Sequence, residues 1–109
     1  PYVYPQQAAA GLYTTASDLA KFFIDIQQSY RGKGKTLSAA MTKQMFTPQA
    51  VFSEGENTKE QIGLGPFLLQ RPTNKDNKGI YFYFDGTNAG FTAFGRASVE
   101  GGNGVVVLL

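Results

Sequence analysis

Residues 80 to 109 read IYFYFDGTNAGFTAFGRASVEGGNGVVVLL, and the reading of this stretch decides the fold. Ile80 to Phe84 are apolar or aromatic throughout. They are followed by the turn-forming segment Asp85 to Gly90, by Phe91 to Val99 and, across Glu100-Gly101-Gly102-Asn103-Gly104, by Val105 to Leu109. Short aromatic and β-branched runs separated by Gly and Asn mark antiparallel strands joined by hairpins, because Gly and Asn tolerate the positive φ of tight turns. The stretch therefore predicts three strands. Ile80 to Phe84 lacks alternation, as expected of a strand buried on both sides. Ile62 to Leu69 is a fourth candidate, and Gly63, Gly65 and Pro66 within it argue for an edge position or a bulge.

Working towards the N-terminus, the period changes. Val51 to Gln61 is polar and acidic around Gly55 and Asn57 and reads as a surface loop, as does Arg71 to Gly79. Thr36 or Ser38 caps a short helix carrying Leu37, Met41 and Met45 on one stripe, a spacing that means core packing, with Pro48 forbidding its continuation. Thr15 and Asp18 have the spacing of a capping box, and Leu19, Phe22, Phe23 and Ile26 follow at i, i+3, i+4 and i+7, which predicts an amphipathic helix from about Ala16 to Ser29. Arg31, Lys33 and Lys35 read as its solvated basic end. Pro1 to Gly11 has neither period and reads as an extended lead-in. The expected fold class is α+β, two helices followed by a three- to four-stranded antiparallel sheet. The chain is read as one partial domain over 1–109, with the lead-in and helices in 1–50 and the strands in 62–109.

Composition narrows the chemistry. The 109 residues contain no Cys, His or Trp and carry a net charge of +2. Disulfides are excluded, and without His or Cys a zinc site or the commonest general base is not expected. No metal or cofactor is expected. Two excess positive charges fall far short of a nucleic-acid-binding face, and no apolar run reaches the roughly 18 to 20 residues that span a bilayer. Glu54, Glu56 and Glu60 lack the ligand alternation of a calcium loop. Gly34-Lys35-Thr36 mimics the end of a P-loop, but Ser29 stands at the first Gly position. Gly63-Leu64-Gly65 begins a dinucleotide pattern that Leu68 ends. No SxxK, YxN or GxSxG is present, so no serine nucleophile stands in a known context. Read from its residues alone, Asp85 to Phe91 is an ordinary hairpin loop.

Four segments in order nevertheless resemble the C-terminal part of the serine β-lactamase family, meaning the class C β-lactamases and their penicillin-binding-protein and esterase relatives. Tyr4-Pro5 with Ala9 to Phe22 resembles the family's AGGLYSTASDLAKF segment, and Gly63-Leu64-Gly65 its GLGW strand. Phe84 to Phe91 is similar to the third active-site motif, KTG or HxG followed by Gly-Phe, and Gly104 to Leu109 resembles the GVVVLTN strand. The resemblance implies a Ser nucleophile, activated by Lys and Tyr, that attacks a β-lactam, ester or peptide-like carbonyl to give an acyl-enzyme. It implies that Phe84, Asp85, Gly86 and Thr87 form one side of that site, with the Thr87 backbone N–H as an oxyanion donor and Gly86 keeping the strand clear. SxxK and YxN belong to earlier family segments, so the 109 residues are expected to be inactive alone. Phe84 stands where the family carries Lys or His and cannot give a substrate carboxylate the charge or hydrogen bond of that position, which favours an esterase-like or degenerate site. Asp85 has the wrong sign to compensate.

The chain stops in a strong strand, which suggests a segment cut at both ends from a larger protein. The expected partners are the missing N-terminal part or another copy of the chain, in a dimer or higher oligomer, with a small-molecule acyl substrate in the parent. The family resemblance implies a periplasmic or extracytoplasmic setting. The rival expectation is a non-catalytic interaction or assembly module.

Overall fold

The computed structural model describes residues 2–71 and 80–109. Three helices precede a six-stranded sheet: α1 (Gln7–Ala10), α2 (Ala16–Tyr30), α3 (Ala39–Met45), β1 (Ala50–Glu54), β2 (Lys59–Ile62), β3 (Phe67–Gln70), β4 (Ile80–Asn88), β5 (Phe91–Ser98) and β6 (Gly104–Leu108). The strands lie side by side in chain order, each antiparallel to the next. The α+β class holds, with more strands than the sequence suggests. The chain belongs to the helix-and-antiparallel-sheet architecture in which helices must bury one face of the sheet.

Local chemistry explains both longer helices. The Thr15 hydroxyl accepts from the Asp18 N–H at 3.1 Å, and the Ser38 hydroxyl from the Met41 N–H at 3.1 Å, each satisfying a donor that the first helical turn leaves unpaired. The Asp18 carboxylate bonds Lys21 at 2.8 Å. Helix α2 ends with Arg31 as C-cap, and Gly32 at φ +79° reverses the chain. The Asp25 carboxylate then accepts the backbone N–H groups of Lys35 and Thr36 at 2.8 and 3.0 Å, folding the connection back against α2.

The core lies between α2, α3 and one face of the sheet. Phe23 stacks on Phe82 at 5.2 Å, Phe46 meets Phe82 at 4.8 Å, and Ile26, Leu68, Ala97 and Val99 complete the buried cluster. Phe23 approaches β5 so closely that a Cβ on Gly95 would stand 2.4 Å from its ring, so only glycine fits there. Because side chains alternate across a strand, Phe82 and Phe84 point to the helices while Tyr83 and Asp85 point to the opposite face.

Several sequence expectations are corrected. Val51 to Gln61 is not a loop but the β1–β2 hairpin, closed by Gly55 N–H to Thr58 C=O at 2.8 Å. Its polar composition hid the strands because β1 is a sheet edge exposed along its whole length, where charged and polar side chains are at home. Ile62 to Leu69 is divided by a turn in which Gly63 N–H bonds Pro66 C=O and Leu64 N–H bonds the Met45 carbonyl. Pro66 therefore sits in a connection, not in a bulged strand. The lead-in contains the single turn α1. Met41 is exposed, because α3 is too short to turn its whole stripe inward, whereas Met45 packs against the core. Arg31 is not merely solvated, since its guanidinium donates to the Glu100 carbonyl and ties α2 to the β5–β6 turn. Among the described residues helices cover Ile80 to Phe84 on one face only, and Phe82 alone of the five is fully buried. The reading of Arg71 to Gly79 as a loop falls on residues 72–79, outside the described residues.

Candidate functional site

The segment singled out in the sequence, Phe84 to Thr87, lies within β4, and the turn beyond it is only Ala89-Gly90, with Gly90 at φ +83°. Strand β3 accompanies β4 only from Ile80 to Tyr83. From Phe84 to Asn88 the strand pairs with β5 on one side, and among the described residues no strand pairs it on the other.

The direction of the Thr87 backbone follows from its neighbour. Thr87 is opposite Thr92, whose N–H and C=O are both bonded to Leu109 at 2.9 and 2.8 Å on the far side of β5. Thr92 therefore has nothing left for Thr87, and the two form a non-hydrogen-bonded pair. The N–H and C=O of Thr87 point away from β5 to the free edge. The same parity directs the Asp85 backbone there as well. Two donors one strand repeat apart, about 7 Å, thus face an edge that no other strand pairs among the described residues.

The four side chains divide between the faces. The Phe84 ring lies edge-on to Phe23 at 6.1 Å and packs against the core. Its aromatic character thus has a structural use in this chain. Gly86 shares that face, yet a Cβ there would meet nothing within 4 Å, so the fold itself does not demand glycine at this position. Asp85 and Thr87 are exposed on the opposite face, beside Tyr83. The Tyr83 hydroxyl donates to Glu60 Oε1 at 3.3 Å, and the Arg96 guanidinium lies over the Tyr83 and Phe94 rings at 5.6 and 5.4 Å. Burial, reinforced by the Glu60 and Asp85 carboxylates and partly offset by Arg96, raises the Tyr83 hydroxyl above its ordinary pKa. Tyr83 is therefore a hydrogen-bond donor at neutral pH and not a base.

Sequence reasoning missed the support of this edge. The Ala89 N–H donates to the Tyr4 hydroxyl at 2.8 Å, and Asn88 Nδ2 donates to the Ala10 carbonyl at 3.1 Å, so the lead-in straps the β4–β5 turn. Tyr4-Pro5 is part of the resemblance, but nothing in its local pattern signals a partner near residue 89.

Among the described residues no hydrogen bond pairs a serine hydroxyl with a basic side chain. Ser29 Oγ is buried without a partner, Ser38 is a helix cap and Ser98 is buried in β5. Among the described residues no cluster of acidic side chains could hold a metal ion, and no helix is long and apolar enough to cross a membrane. A groove of about 260 Å³ between α2 and the β5–β6 turn is lined by Phe23, Ile24, Gln27 and Val106 among others, away from the free edge of β4. The edge presents backbone donors of the kind that hold an extended ligand or a carbonyl oxygen.

A family model described as Beta-lactamase matches residues 1–109, the whole chain. The fold, the order of its segments and that match together show that the chain belongs to the beta-lactamase family. No curated protein and no solved structure gives a significant match.

Proposed function

We propose that this chain is the C-terminal segment of a serine hydrolase of the beta-lactamase family, and that it lends one side and one oxyanion donor to an acyl-transfer site completed by a nucleophile outside residues 1–109. The Thr87 N–H is the donor, and the open space at Gly86 admits a small-molecule acyl substrate against the strand. The observation that carries this reading is the Thr87 N–H directed to an unpaired strand edge, since an oxyanion hole needs donors fixed in advance and free of other partners. The absence of SxxK and YxN from the 109 residues supports the division of labour. The test is Thr87→Pro in a polypeptide that also carries the nucleophile: losing the donor should lower kcat roughly 10²- to 10³-fold. Thr87→Ala keeps the N–H and should retain most of the rate, so a large loss in that variant would refute the donor assignment. Residues 1–109 alone should form no covalent adduct with a fluorescent penicillin or a fluorophosphonate, as read by intact mass.

A second reading, a non-catalytic assembly module, is favoured by one observation, the sheet face opposite the helices. Phe52, Phe67, Tyr83 and Phe94 form a ladder across it with ring centroids 5.7, 5.2 and 6.5 Å apart, and Val105 and Val107 extend it, exposed, to the β6 edge. The occupant is a second copy of the chain. Six strands at about 4.8 Å spacing give each copy a face of roughly 500 Å², so two copies bury about 1,000 Å², the lower bound for a specific interface. Arg96 lies on this face with Asp85 and Glu60, and a two-fold axis can set the guanidinium of one copy against a carboxylate of the other. Light scattering of residues 1–109 over a dilution series should give a dimer or a higher closed oligomer. A well-folded monomer at micromolar concentration would remove this reading.

A further inference from the structure

The free edge of β4 carries a definite charge pattern. Asp85 and Thr87 have the same parity, so both backbone donors face the edge and both side chains lie on the face away from the helices. A ligand whose acyl oxygen rests on the Thr87 N–H and which extends along the strand towards β3 passes the Asp85 carboxylate about 7 Å further on. Asp85 is exposed and has no ion-pair or hydrogen-bond partner among the described residues. Phe84, its neighbour, is turned into the core and presents no group to the edge.

The other charges of this face reinforce the pattern. Glu60 lies on β2, on the free-edge side of β4, and is held by the Tyr83 hydroxyl. Arg96 lies on β5, on the other side of β4, stacked over Tyr83 and Phe94. The strand thus separates the charges, with carboxylates towards the ligand side and the guanidinium behind. An anionic group placed on the free-edge side of Asp85 meets a like charge, while Arg96, the cation of this face, is held over Tyr83 and Phe94 on the β5 side of the strand; a cationic or neutral group meets no such repulsion.

We propose that this edge selects acyl substrates bearing a cationic or neutral group about 7 Å along the strand from the scissile carbonyl over those bearing a carboxylate there, and that Asp85 sets the preference. The inference rests on the acyl-transfer reading above and names the substrate class of that site.

The experiment compares kcat/KM for three esters with one leaving group, whose acyl chains end in an ammonium, a methyl or a carboxylate. The enzyme is the polypeptide carrying both this segment and the nucleophile. At low salt the carboxylate ester should be turned over roughly fivefold more slowly than the methyl ester, the size of one like-charge contact near 4 Å in a solvent-exposed site. The ammonium ester should be favoured by a similar factor, and both differences should shrink in about 1 M salt. Asp85→Asn should bring the three rates together, and Asp85→Lys should reverse their order, each read as a ratio to the methyl ester of the same variant, with circular dichroism reporting that the variant is folded. Hydrolysis of all three at equal rates by the unsubstituted enzyme, or an unchanged ratio in Asp85→Asn, would overturn the role of Asp85 and leave the acyl-transfer reading standing. Hydrolysis of none would overturn both.

Discussion

Phe82 and Tyr83 are adjacent on one strand, yet they inhabit different environments. Phe82 is fully buried beneath Phe23 and Phe46, whereas Tyr83, one step along and on the other face, is half-buried among Phe67, Phe94 and Arg96. The helix face is a closed core whose parts fit to within a methyl group, as the Phe23–Gly95 approach shows. The other face is a row of rings with polar groups laid over it. An aromatic run in sequence can therefore serve dry packing and an open, chemically addressable surface at once, and the difference is imposed by which face the helices reach.

The sharpest way to break this comparison is to truncate one ring on each face. Phe82→Ala leaves a cavity beneath the Phe23 and Phe46 rings and should cost about 3 to 5 kcal/mol, enough to unfold a marginal segment. Phe67→Ala on the open face should cost roughly 2 kcal/mol, the sum of its two ring pairs and the loss of a half-buried side chain. Urea denaturation followed by circular dichroism reads both, and equal losses would mean that the open face is covered as tightly as the core.

A smaller effect separates two glycines. Gly95→Ala forces Phe23 out of its rotamer or the strand outward, at about 1 to 3 kcal/mol, since the new methyl would stand 2.4 Å from the ring. Gly86→Ala meets no atom within 4 Å and should leave the melting temperature within a degree or two. If Gly86→Ala proves as damaging as Gly95→Ala, the space beside β4 is not open.

The smallest effect lies at the far end of the closed face, where α2 is stitched to its following loop. Bonds from Thr36 and Lys35 hold the Asp25 carboxyl below the usual carboxylate range, and Lys21 and Thr15 do the same for Asp18. A depressed native pKa stabilises the fold above the unfolded-state value of about 3.9 and loses that contribution as the pH falls below it. Melting temperature should therefore decline between about pH 4 and pH 2, and less steeply in Asp25→Asn. Because both groups are exposed, the change is modest. An identical profile in Asp25→Asn would show that the loop is held by other contacts.

How much of this could be read in advance depended on whether the deciding interaction was local. The caps at Thr15 and Ser38, the stripe through Phe23 and Ile26 and the glycine-rich turns around 90 and 102 are short-range chemistry and were legible. The β1–β2 hairpin was not, because its strands lie where burial imposes no alternation. The motif Phe84 to Thr87 was found by resemblance, but its parity was hidden. That Phe84 belongs to the core and Asp85 to the edge depends on the β4–β5 register and on β3 ending its pairing at Tyr83, both non-local facts. The Tyr4 strap was invisible for the same reason.

That strap also bears on the order in which the chain assembles. The Tyr4–Ala89 bond closes a span of 85 residues, while Asn88 and Phe91 are paired across a two-residue turn. Contacts distant in sequence demand more loop-closure entropy than hairpins do, so the sheet can zip from turn to turn long before its first residues return to it. The strap over the turn beside the free edge is then the last contact of the segment to form, and it is made by Ala10 and Tyr4, 78 and 85 positions earlier in the chain.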